Sequence, residues 1–173
     1  MTISARTILA FFALAVGALA AFAGTAQAPL ADDEIAAVDL AARLRAHQQG
    51  LLVLDTRSRV AFDAEHLPGA RLLADAVATK LVDTTTVVYS DTDVDSAVAV
   101  ALRRQTDART LRLRGGLRAW NDEILFPVVR ADASARQRQR FEARAALSRY
   151  FGGTPRRLEP GAAAGPTRGR RGC

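Results

Sequence analysis

Cysteine is almost missing from this chain: there is one in 173 residues, Cys173, at the last position. No internal disulfide can form, and no Cys/His cluster has the spacing of a metal site. Histidine is nearly as scarce. The two copies are His47 and His66, and none follows His66, so a serine nucleophile further along would find no histidine base after it in sequence. Acidic residues are scarce only in the C-terminal part. Residues 29–129 hold 12 Arg plus Lys against 15 Asp plus Glu, whereas residues 130–173 hold 11 Arg against 3 acids. The net charge of +6 therefore belongs to the C-terminal part and not to the main body.

What is present suits one modest α/β domain. The chain is 49% hydrophobic and 24% charged, the balance of a globular protein. Residues 1–28 read as a secretory signal. Arg6 supplies the positive start, Ile8 to Ala23 is an uncharged apolar run, and Ala21-Phe22-Ala23 and Ala26-Gln27-Ala28 are cleavage candidates. Pro29 disfavours cutting after Ala28. The run is shorter than the roughly 20 residues that span a bilayer, so the expectation is a periplasmic or secreted protein, anchored to the membrane only if the segment is retained. Such a compartment is oxidising, which bears on Cys173.

Beyond a polar linker ending at Glu34, Val38, Ala41, Ala42 and Leu44 recur at helical spacing. Gly50 is the expected stop of that helix. Leu51-Leu52-Val53-Leu54 is a short apolar run that reads as a central parallel strand. Short helices are expected over Arg59–Glu65 and Asp75–Leu81, with an extended stretch from Leu67 to Leu73 between them. Thr85 to Tyr89 is a β-branched strand and Ala97 to Leu102 a helix. Leu111 and Leu113 mark a further strand, and a helix begins at Leu117 and is closed by Pro127. This alternation predicts a small parallel sheet with helices on both faces. From Arg130 a basic extension follows, a helix capped by Asp132 or Ser134 and stopped by Gly152-Gly153. Its apolar patch is Ala143, Leu147, Tyr150 and Phe151. Residues 154–173 are rich in Arg, Gly and Pro and are expected to be disordered.

The chain is organised around Ser90-Asp91-Thr92-Asp93-Val94-Asp95, which joins the Thr85 strand to the Ala97 helix. Open α/β sheets bind ligands at such junctions, where fresh helix N–H groups favour anions. Leu54-Asp55-Thr56-Arg57, Glu65-His66-Leu67-Pro68-Gly69-Ala70 and Leu113-Arg114-Gly115-Gly116-Leu117-Arg118-Ala119-Trp120 flank it in order. With these motifs the sequence resembles a rhodanese-like domain over residues 35–127. The resemblance implies an α/β fold and, in active members, a sulfurtransferase whose cysteine carries sulfane sulfur as a persulfide. Here Ser90 occupies the position of that cysteine and Asp95 that of the loop arginine. Asp55 and Arg57 look like scaffold residues, and His66 looks structural.

A hydroxyl cannot form a persulfide, so the expected function is a binding or scaffold module. The alternative is a sulfurtransferase that uses Cys173 or a partner's thiol. Three readings of Asp91, Asp93 and Asp95 are open: capping of the helix start, a weak cation site, or recognition of a basic partner, the chain's own arginine-rich tail included. Arg136, Arg140 and Arg144 form an i, i+4 stripe that would suit an anionic surface. Nucleic acid would fit the charge, but export argues against it. Cys173 suggests an intermolecular disulfide or a reactive thiol. No cofactor is expected.

Overall fold

A computed structural model describes residues 30–76, 84–105 and 109–159. In chain order its elements are β1 (Glu34–Ile35), α1 (Ala37–Arg45), β2 (Leu51–Asp55), α2 (Arg59–Ala64), β3 (Arg71–Leu72), α3 (Leu73–Ala76) and β4 (Thr85–Tyr89). There follow α4 (Ser96–Gln105), β5 (Arg109–Leu113), α5 (Gly116–Trp120), a π-helical turn (Asn121–Leu125), β6 (Val128–Arg130), α6 (Ala135–Tyr150) and β7 (Arg156–Leu158). Five strands form a sheet in the order β1-β5-β4-β2-β3, every pair parallel.

A parallel sheet covered on both faces needs apolar side chains on both, and the strand sequences supply them. Val53, Val87 and Tyr89 point into the larger core with Leu40, Leu113, Trp120 and Ile124. Their neighbours Leu54 and Val88 point the other way, onto Ala99 and Leu102 of α4. Helix α6 closes the larger core with Leu147 and with Phe151 just past its end, and the Phe151 ring meets Trp120 edge-on at 5.1 Å. A second contact of α6, Phe141 and Ala145 on Val129, binds it to β6.

Several expectations are corrected. Ile35, on the approach to the first helix, is a buried strand residue beside Leu113, and Arg112 holds Asp33 and Glu34 at the entry to β1. Helix α1 ends at Arg45, ahead of His47-Gln48-Gln49-Gly50, where both His47 (φ 50°) and Gly50 (φ 68°) are left-handed. The expected extended stretch Leu67–Leu73 does hold strand β3, but α3 starts at Leu73, ahead of Asp75. Residues 77–81 of that expected helix lie outside the described residues, as do the signal segment and Cys173. The expected disorder from residue 154 does not hold for Arg156–Leu158, which pair in parallel with Val128–Arg130. In α6, Ser134 is the cap, and its box with Gln137 is complete. Ala143 and Tyr150 are not among the buried residues of α6, and Phe141 and Ala145 take the buried places instead.

Candidate functional site

The junction after β4 is built on one buried ion pair. Asp55, fully buried at the end of β2, accepts from Arg57 at 2.8 Å. Arg57 also donates to Asp91 at 2.9 Å and to the Glu65 carbonyl, and its guanidinium lies 5.8 Å from the centre of the Tyr89 ring. The Tyr89 hydroxyl accepts the Leu67 N–H at 3.1 Å and donates to Asp55. One arginine thus ties the end of β2, the segment after α2 and the β4 loop together. Burial would raise the Asp55 carboxyl, but hydrogen bonds from Arg57 and Tyr89 prevail and hold it below the usual carboxylate range. Burial and the bond to Asp55 push the Tyr89 phenol up, and the bond to Asp55 keeps Arg57 charged.

The carbonyls of Ser90, Asp91, Val94 and Asp95 are engaged as well as the loop's carboxylates. Tyr89 O accepts from Thr56, Ser90 O from the Leu117 N–H at 2.9 Å, and Asp91 O from the Arg118 N–H at 3.0 Å. The first amides of α5 therefore bond to the loop backbone. This close seam explains Gly116: at its φ of +55°, a Cβ there would sit 2.1 Å from the Thr92 carbonyl oxygen and 2.4 Å from that of Ser90. Arg112 adds a bond to the Val94 carbonyl at 3.1 Å while gripping Asp33 through two nitrogens.

The three aspartates do three different things. Asp91 takes Arg57, Asp93 accepts the Gly115 N–H at 2.6 Å, and Asp95 caps α4 through the Ala97 N–H at 2.8 Å. Capping therefore describes Asp95, not Asp93. Among the described residues no three His, Cys, Asp or Glu side chains gather as a metal would need. Ser90 is half-buried at the end of β4, and His66 stacks on Phe62 at 4.3 Å with Nδ1 on the Phe62 carbonyl.

A family model, the rhodanese-like domain, matches residues 37–123. The chain belongs to the rhodanese-like family. Among solved structures it is similar to the protein BH2092 from Bacillus halodurans, at 22% identity over 51% of this chain and 70% of that one, with a TM-score of 0.45. The rhodanese-like domain of Alr3790 from Anabaena sp. shares 25% identity over 53% of this chain and 74% of that one, TM-score 0.44. RPA3614 from Rhodopseudomonas palustris, described as a protein of unknown function and possible tyrosine phosphatase, shares 17% over 52% and 80%, TM-score 0.44. No curated protein matches the chain.

Beside its central loop this rhodanese-like domain carries a groove of about 1340 Å³. Asp91 and Thr92 form one wall, α5 and the π-helical turn the floor, and β6 with α6 the other wall. The basic stripe of α6 does not stay whole. Arg140 and Arg144 both line the groove, Arg144 two-thirds buried and paired with Glu123 at 2.8 Å, and Arg136 lies outside it. Sequence reasoning missed Arg112, although a charged residue inside the buried strand Arg109–Leu113 is itself a signal that something must pair with it.

Proposed function

We propose that this chain is an exported rhodanese-like protein that does not carry sulfane sulfur and acts as a binding or scaffold module. The observation that supports this is the state of the β4 loop. Ser90 stands where the family resemblance puts the sulfur-carrying cysteine, and Asp91, Asp93 and Asp95 are built into the surrounding structure as structural acceptors. A persulfide needs a sulfur–sulfur bond, which a hydroxyl cannot make. A loop lined with carboxylates also opposes a dianionic donor: each unit charge at roughly 4 Å costs about 1 kcal/mol in water and several times more near a protein surface. Scaffold parts, by contrast, are intact, with Asp55, Arg57 and Gly116 all making the contacts a rigid loop needs.

The test is thiosulfate:cyanide sulfurtransfer by the full chain, beside Cys173→Ala and Ser90→Cys variants. The unmodified chain is expected to be silent even at high protein concentration. Turnover that disappears in Cys173→Ala would overturn the reading and make the terminal thiol the sulfur carrier. Ser90→Cys is expected to react slowly, and to gain at least about tenfold when Asp91, Asp93 and Asp95 become Asn, which keeps an acceptor and removes the charge. Export is tested separately, by fractionating cells that express the chain and sizing the mature N-terminus.

A further inference from the structure

We infer that the groove between the β4 loop and the C-terminal wall is the docking site of an extended acidic peptide segment from a partner protein. The inference rests on the binding-module reading and names its ligand class. A volume of about 1340 Å³ exceeds the roughly 300–1,000 Å³ of small-molecule sites, and the groove is open to solvent. Its size suits a stretch of polypeptide.

Charge decides which stretch. Three of the four acids on the lining have a cationic partner within the chain: Asp91 has Arg57, Asp122 has Arg118 and Asp132 has Arg130, while Glu65 bonds to the neutral Asn121 amide and keeps its charge. The cations are not balanced in the same way. Arg140 of α6 and Arg156 at the start of β7 are exposed, line the groove, and face no carboxylate among the described residues. These two cations against the one carboxylate of Glu65 leave the balance positive, and both come from the C-terminal elements α6 and β7. Arg156 stands in register with Val128, which is 41% exposed, and Phe126 is half-buried nearby on the same lining. An apolar seat beside two such guanidiniums matches a segment that carries an apolar anchor flanked by Asp or Glu, held by charge-assisted bonds.

The test uses the full chain and short fluorescein-labelled peptides, each a Phe-Leu pair flanked by Glu, by Gln or by Lys, read by anisotropy. The Glu-flanked peptide is expected to bind at least about tenfold tighter than the Lys-flanked one, with Gln between them. Arg140→Glu with Arg156→Glu should abolish or invert that order. Both positions are exposed, so the variant should fold, which circular dichroism checks. Arg136→Glu, on the same helix but off the groove, should leave affinities within about twofold. Equal binding of all three peptides, preference for Lys flanks, or an equal loss in Arg136→Glu would each overturn the assignment. Preference for Lys would point to the chain's own arginine-rich tail as occupant. Turnover of thiosulfate by the unmodified chain would overturn the binding-module reading while leaving the peptide order as measured, so the two failures are distinguishable.

Discussion

The loop after β4 and the wall that α6 builds opposite it treat charge in contrary ways. In the loop, carboxylates and carbonyls are consumed by the fold: Arg57, Arg112, Gly115 and the first amides of α5 take them up. On the wall, arginines outnumber their partners, and Arg140 and Arg156 face no carboxylate among the described residues. The same side-chain chemistry thus serves structure on one side and leaves recognition capacity on the other. Burial makes the difference. Arg57 is 7% exposed against a fully buried Asp55, whereas on the wall Arg130 is 60% exposed against an Asp132 that is 71% exposed. The first pair cannot lose a member cheaply, and the second is screened by water.

The comparison breaks most sharply at Asp55. Asp55→Ala leaves Arg57 charged and without its main partner in a closed site, and is expected to cost about 3–5 kcal/mol in urea unfolding. Gly116→Ala comes next. It drives a methyl into the Ser90 and Thr92 carbonyls at a left-handed φ, and should cost upwards of about 2 kcal/mol, mostly by displacing the loop. Hydrogen exchange at Leu117 and Arg118 would then speed up. On the wall side, Ser134→Ala removes a complete capping box and should cost about 1 kcal/mol. Arg130→Ala, the exposed pair, should stay within about 0.5 kcal/mol of the parent.

Acid sharpens the contrast. The Arg112 hydrogen bonds hold the Asp33 carboxyl below its usual range, and Asp55 is likewise held down despite its burial. A depressed native value means the stabilisation is fully present above the unfolded carboxylate pKa, near 4, and is lost as pH falls below it. The urea midpoint should therefore drop between about pH 4 and pH 2, and that drop should be smaller in Asp55→Asn.

Much of this was legible in the sequence for a physical reason. Strands β2 and β4 are apolar or β-branched runs, and burial on both faces leaves a continuous signal, while β5 shows only as Leu111 and Leu113 around Arg112. The Asp95 cap is local, two residues from its donor. Strands β1, β3, β6 and β7 are two or three residues long and carry no period to read. The partners of Asp91 and Asp93 lie 34 and 22 residues away, so the loop's aspartates looked like a cluster until the fold separated them. The break in the Arg136, Arg140 and Arg144 stripe is equally non-local, since Glu123 belongs to another element.

Arg112 has a mechanical consequence. Its guanidinium holds Asp33 and Glu34 at the chain's entry to the sheet and, by its third nitrogen, the Val94 carbonyl in the β4 loop. Tension applied ahead of residue 33, as by a tether on the N-terminal segment, would peel the two-residue edge strand β1 first. The same pull would strip Arg112 of both its carboxylates, so the loop would be the first interior part of the molecule to register the load.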